Sequence, residues 1–164
     1  FNVLRDELKK FRRYAEPFSV MLIDADHFKR INDRFGHPAG DAALQAIAEV
    51  CNESVRETDI VGRFGGEEFI VLLPHTRASD AVIVAERIRT AMMETGLYWQ
   101  GHRLNVRLSL GIAEAGLHAD DFDELIAAAD QALYAAKKGG RNRTVIADVP
   151  SDRVRALQAH VEAA

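Results

Sequence analysis

Apolar positions repeat at helical spacing from the first residue. Phe1, Leu4, Leu8 and Phe11 fall on one stripe, and residues 1–15 read as an amphipathic helix. The pattern is already running at residue 1, as expected for a boundary inside a longer protein. Residues 18–23 are almost wholly apolar and the run stops at Asp24, which reads as a buried central strand with helices on both faces. Phe28, Ile31 and Phe35 mark one side of a short helix over 27–35. Gly36-His37-Pro38 interrupts it. A longer helix follows over 39–56, with Leu44, Ile47, Val50 and Cys51 inward.

Two strand-like runs, 59–64 and 69–73, flank Gly65-Gly66. Both glycines tolerate positive φ, so the pair signals a tight hairpin. Residues 78–95 read as a helix, 96–101 as a turn or short hairpin around Tyr98 and Trp99, and 104–113 as a strand. Asp121 is placed to cap a helix over 122–138. Gly139-Gly140 ends that helix. A last strand over 144–147 and a polar, alanine-rich helical tail over 151–163 complete the chain. Mixed strands and helices, with a hairpin and several crossovers, predict an α/β (α+β) domain built on a single mixed sheet flanked by helices.

Composition adds bounds. The 164 residues suit one domain, and a hydrophobic fraction of 48% supplies a sizeable core. A net charge of −4 gives no global basic footprint for duplex nucleic acid, although a local positive cluster is compatible with it. The single cysteine, Cys51, excludes an intrachain disulfide framework and argues against a thiol-rich zinc site. Its spacing with Ile47 and Val55 reads as core packing. No apolar run approaches the ~20 residues that cross a bilayer, and no secretory signal is visible.

The candidate chemistry lies at strand ends. Asp24 is either a turn former for the segment beginning near His27 or a metal ligand at the mouth of a crevice. Glu67 and Glu68 follow the glycine pair directly. Adjacent strand residues point to opposite faces, so both cannot be core residues. They are either solvated hairpin charges or ligands beside bare backbone. Gly65 and Gly66 let a phosphate approach closely. Acids from two strands with room for phosphates suit Mg²⁺. Lys137 and Arg141 bracket a helix end, where they either complement its dipole or bind phosphate. Lys29 is either solvated or within reach of a phosphate. Asn32 and Asp41 are the base-reading candidates, because guanine presents two adjacent donors that a carboxylate can accept and an amide can satisfy another edge atom. The competing role for Asp41 is an N-cap.

The blocks "LIDADHFKRINDRFGHPAGD", "RETDIVGRFGGEEF", "LSLGIAEA" and "ADQALYAAKKGGRNR" resemble, in order and spacing, the GGDEF domain of diguanylate cyclases, here with a GGEEF signature. The resemblance runs from Phe1 to Ile146. It implies a central five-stranded sheet similar to class III nucleotide cyclase and polymerase palm cores, in a domain over 1–148 with 149–164 as tail or linker. It implies Asp24, the Ala25 carbonyl and Glu67 as ligands of Mg²⁺ or Mn²⁺, with two ions per site. Asn32 and Asp41 resemble the guanine readers, with His37 near the nucleotide. Lys29 resembles the residue that steadies transition-state charge, and Lys137 and Arg141 resemble the phosphate contacts. Glu67 is the candidate base, with Glu68 assisting metal binding or proton removal.

The implied reaction joins two GTP molecules into cyclic di-GMP and two pyrophosphates across a homodimer. "RETD" resembles an inhibitory product site built on Arg56 and Asp59, to which Arg87 is added as a further contact. The bland alternative is an ordinary surface pair. The resemblance also implies an upstream sensor or stalk, a cytoplasmic location for the domain, and no contact with duplex nucleic acid or membrane. The family's Asp-x-Leu-Thr and Asn-Arg segment is not in this chain, and Ala25 stands where the family carries a bulky residue. Two other functions compete: a silent module that binds GTP or cyclic di-GMP, and a cyclase making a mixed guanine–adenine product. Asp41 argues against the latter.

Overall fold

The computed structural model describes residues 2–164; Phe1 and the side chains of Leu4 and Arg12, part of the N-terminal apolar stripe and its helix, lie outside the described residues. In chain order the elements are α1 (Asn2–Tyr14), β1 (Phe18–Ala25), α2 (Phe28–Phe35), α3 (His37–Ser54), β2 (Ile60–Arg63), β3 (Glu68–Pro74), α4 (Ala78–Glu94), β4 (Tyr98–Trp99), β5 (His102–Arg103), β6 (Leu108–Glu114), α5 (Phe122–Lys138), β7 (Thr144–Ile146) and α6 (Ser151–Ala163). The main sheet has five strands in the order β2-β3-β1-β6-β7, and β4-β5 form a separate hairpin.

β1 is central and every one of its residues is buried. It runs antiparallel to both neighbours, whereas β6 and β7 are parallel, so the sheet is mixed. Met21 and Ile23 pack into the larger core with α2, α3 and α4. Val20 and Leu22 face the other way, against Leu8 of α1 and Leu125, Ala129 and Leu133 of α5. Each fully buried aliphatic side chain contributes about 1.5–3 kcal/mol. The strand is apolar on both faces because helices cover both.

α5 lies close on β6. A Cβ at Gly111 would sit 2.3 Å from the Ala129 carbonyl oxygen and 2.3 Å from the Leu133 nitrogen. Glycine here sets the distance between helix and sheet, and so the height at which the end of α5 reaches the site. Asp121 caps the helix as its sequence position suggests, accepting from the Glu124 N–H at 2.9 Å. Cys51 is fully buried, and burial pushes its thiol up to about 12.

Several boundaries differ from those read in the sequence. α3 begins at His37 rather than 39, because Gly36 takes a positive φ of 89° as its cap and Pro38 fits the first turn. Asp41 therefore lies inside the helix and is not its N-cap. β6 begins at Leu108 rather than 104: Leu104 and Val106 are buried outside any strand. The Gly65-Gly66 turn is not a two-residue hairpin with positive φ, since neither glycine adopts one and the loop spans Phe64 to Glu67. Asp24 lies within β1 rather than after it. α6 has no buried residue and is tied to the body by Arg153, which donates to the Gly116 carbonyl at 2.8 Å and pairs with Asp120 at 2.6 Å. No helix among the described residues is long and apolar enough to cross a membrane.

Candidate functional site

Strand register builds the acidic centre. Asp24, near the end of β1, lies directly opposite Glu68, the first residue of β3. Both fall on the sheet face that α5 covers. Lys137, in the last turn of α5, forms an ion pair with Oδ2 of Asp24. Oδ1 of Asp24 is buried and has no hydrogen-bond partner. A buried carboxylate oxygen left unsatisfied is costly and marks a place where a ligand would be welcome.

Glu67 sits in the turn just before β3. Its carbonyl accepts from the Ala25 N–H at 3.4 Å, which brings Asp24, Ala25 and Glu67 to one end of the sheet. Burial raises the Glu67 carboxyl above its ordinary value, and the charge of Asp24 raises it further; Lys137 opposes both. Glu68 is raised for the same reasons, with Asp130 of α5 adding to the effect. Carboxylates held this close resist ionising together. Among the described residues there is no cluster of three or more His, Cys, Asp or Glu side chains able to hold a metal by themselves. The donor set at this point is two carboxylates, Asp24 and Glu67, with the Ala25 carbonyl. That set fits Mg²⁺, which uses few protein carboxylates and completes its shell with phosphates and water.

The glycine turn is held from outside. The N–H groups of Phe64 and Gly65 donate to the Glu68 carbonyl at 2.8 and 3.2 Å. Arg63 donates through Nε to the Gly65 carbonyl at 3.1 Å and through Nη2 to the Gly66 carbonyl. Sequence reasoning missed Arg63; an arginine directly ahead of the glycine turn was the available signal. A Cβ at Gly65 would lie 2.9 Å from Oε2 of Glu68, whereas one at Gly66 would meet nothing. Gly66 thus leaves open backbone beside the acids.

A cleft of about 400 Å³ adjoins this turn between α3 and the β2–β3 hairpin, lined by Asp41, Leu44, Asn52, Gly62, Arg63 and Phe69 among others. Asn32 of α2 reaches against Gly40 of α3: a Cβ there would sit 1.9 Å from Asn32 Oδ1 and would push the amide aside. That oxygen is buried and unpartnered. Asn32 and Asp41 thus flank one another through Gly40. His37 is exposed in the first turn of α3. Lys29 is exposed in the first turn of α2.

α5 ends in a Schellman motif. Arg141 N–H donates to the Ala136 carbonyl at 3.0 Å, Gly140 N–H donates to Lys137 at 3.4 Å, and Gly140 has φ 118°. Arg141 is exposed just beyond. Elsewhere, Arg56 and Asp59 close a small turn: the Arg56 N–H donates to Asp59 Oδ2 at 2.9 Å, and the Asp59 N–H to the Arg56 carbonyl at 3.0 Å. Arg87 donates to the Ser54 carbonyl at 2.9 Å, which caps α3 two residues before Arg56.

A mixed sheet that ends in opposed carboxylates, a lysine and an open glycine turn defines a domain suited to phosphate-bearing ligands. Comparison with known proteins gives the family. The family model described as "Diguanylate cyclase, GGDEF domain" matches residues 1–143. The chain is 41% identical over 131 residues to diguanylate cyclase A of Treponema denticola, covering 80% of this chain and 35% of that protein. It superposes on the crystal structure of the GGDEF domain of YfiN (TpbB) from Pseudomonas aeruginosa with a TM-score of 0.86 at 38% identity, covering 91% of this chain and 93% of that one. An active GGEEF domain of a diguanylate cyclase from Vibrio cholerae gives 0.84 at 34% identity, covering 91% and 94%. The chain belongs to the GGDEF family of diguanylate cyclase domains. It spans about a third of the length of the curated relatives it matches.

Proposed function

We propose that this domain condenses two GTP molecules into cyclic di-GMP and two pyrophosphates. The observation that supports it most is the convergence of Asp24, Ala25, Glu67, Glu68 and Lys137 beside the open backbone of Gly66. In this reading Asp24, the Ala25 carbonyl and Glu67 would hold Mg²⁺ or Mn²⁺, two ions to a site. A bound divalent cation there offsets the charge that builds on the phosphates during transfer.

The chain's own groups do the rest. The base lies beside α2 and α3, where Asp41 accepts from guanine's donors and the Asn32 amide meets another atom of its edge, with His37 nearby. The triphosphate lies over Gly65 and Gly66. Lys137 leaves Asp24 for a phosphate oxygen, Arg141 adds a second cation, and Lys29 steadies charge in the transition state. Glu67, raised by burial and by Asp24, takes or positions the proton of the attacking 3′-hydroxyl, and Glu68 assists. The product is two-fold symmetric, so two copies of the domain face each other, each carrying one GTP. Product then binds at the Arg56–Asp59 turn, with Arg87 close by, and restrains turnover.

The test is purified protein, dimerised if necessary, given GTP and Mg²⁺. Cyclic di-GMP with two pyrophosphates per product supports the reading. Tight binding of GTP or cyclic di-GMP without turnover contradicts it and favours a silent regulatory module. A mixed product from equal GTP and ATP contradicts the guanine assignment of Asp41.

A further inference from the structure

We propose that Asp26 is a positioning residue for substrate phosphate, whose buried carboxylate holds the strained turn that presents Arg141. This rests on the reading of Arg141 as a phosphate contact.

Asp26 is 9% exposed and lies one residue beyond β1, two residues from Asp24. Its charge is used up locally. Oδ1 accepts from Ser109 Oγ at 2.6 Å, and Oδ2 accepts from the Asn142 N–H at 2.8 Å. Its own N–H donates to the Arg107 carbonyl at 2.8 Å. With both oxygens engaged, Asp26 is a tether between β1, β6 and the loop that leaves α5, not a free ligand.

That loop needs a tether. Gly140, Arg141 and Asn142 have φ values of 118°, 64° and 44°. Glycine adopts such angles freely and asparagine tolerates them, but they are unfavourable for arginine. Strain of this kind persists only where the surroundings over-determine it. The Asn142 N–H belongs to the peptide that leaves Arg141, so its bond to Asp26 fixes ψ of Arg141. Arg89 of α4 adds a second hold, donating to Asn142 Oδ1 at 3.2 Å. Two aspartates on one strand end thus govern the two cations: Asp24 pairs with Lys137, and Asp26 sets the backbone of Arg141.

The experiment measures GTP KM and kcat on dimeric protein for Asp26→Ala, Asp26→Asn, Arg141→Ala and the Asp26→Ala/Arg141→Ala double variant, with melting curves for each. Loss of a charge-assisted hydrogen bond and of a positioned arginine should raise KM about tenfold in Asp26→Ala, with kcat within about threefold. Asp26→Asn should stay within about threefold in KM, because its amide can donate to Ser109 Oγ while its oxygen still accepts from Asn142. Adding Asp26→Ala to Arg141→Ala should change KM no further. An Asp26→Ala protein that melts as wild type and keeps wild-type KM overturns the proposal. A full additional KM increase in the double variant does so too. An unchanged KM in Arg141→Ala removes the phosphate role of Arg141 and the proposal with it.

If wild type binds GTP without making product, the cyclase reading fails separately, and calorimetric GTP affinity replaces KM with the same order of variants expected. Amide hydrogen exchange on wild type needs no variant. The Asn142 N–H should exchange at least about a hundredfold more slowly than an unprotected amide, and free exchange there overturns the proposal.

Discussion

Replacing Gly40 by alanine should separate nucleotide recognition from stability. The new Cβ would lie 1.9 Å from Asn32 Oδ1, 2.9 Å from Asn32 Cγ and 3.0 Å from Phe28 Cζ. Gly40 is an α3 residue without a positive φ, so alanine there gains about 0.8–1 kcal/mol of helix propensity. The Asn32 amide is the end of a flexible side chain and swings away, while the Phe28 ring shifts by a few tenths of an ångström. These terms nearly cancel, and the melting temperature should stay within about 4 °C of wild type. Recognition should not survive as well. If Asn32 reads guanine as proposed, displacing its amide leaves one polar atom of the base edge unsatisfied at a cost of about 1–3 kcal/mol, or roughly tenfold or more in affinity. Calorimetric titration of a non-hydrolysable GTP analogue, beside thermal melts of both proteins, reads the two effects independently. Wild-type affinity in a Gly40→Ala protein would refute the placement of guanine against Asn32.

Three further outcomes are expected. Glu67→Gln should lower cyclase turnover by at least about a hundredfold, since it removes both the proposed metal ligand and the candidate base. It should nevertheless melt slightly higher: with its pKa raised in the fold, Glu67 favours folding below the ordinary value of 4.5 and loses that advantage as pH rises through the folded value. Gly111→Ala, whose Cβ overlaps the Ala129 and Leu133 backbone at 2.3 Å, should destabilise by about 3 kcal/mol in denaturant melts, because helix and strand must move apart. His118 is buried, and burial holds its pKa below the ordinary histidine value of 6.5; its Nδ1 accepts from the Glu114 N–H at 2.8 Å, which a protonated ring cannot do. The unfolded chain therefore takes up the proton first, so stability should decline as pH falls below 6.5, and His118→Gln should flatten that decline.

What could be read without coordinates followed from local rules. Residues 18–23 declared a doubly covered strand because they are apolar except for Ser19. Asp121 declared a cap because it precedes a clean helical period, and its bond to Glu124 bears that out. The ordered blocks carried the family. Tertiary effects stayed hidden. Gly36-His37-Pro38 does separate the two helices, but only Gly36 lies outside them: it caps α3 and Pro38 sits in the first turn, so Asp41 falls inside the helix. Leu104 and Val106 are apolar in the sequence like strand residues, and they are buried, but they lie outside β6. The opposition of Asp24 and Glu68 depends on register, and the meeting of Asp26, Ser109 and Asn142 joins three distant segments. No local pattern encodes such meetings. Nor does the sequence reveal that Asp24 Oδ1 and Asn32 Oδ1 are buried without partners.

The most direct measurement is anomalous diffraction from crystals grown with Mn²⁺ and a non-hydrolysable GTP analogue. The expected result is a metal peak at about 2.0–2.2 Å from Asp24 Oδ1 and from a Glu67 carboxylate oxygen, with Lys137 moved from Asp24 onto a phosphate. A nucleotide-bound structure in which Lys137 still pairs with Asp24 and the metal lies on other residues would contradict the account.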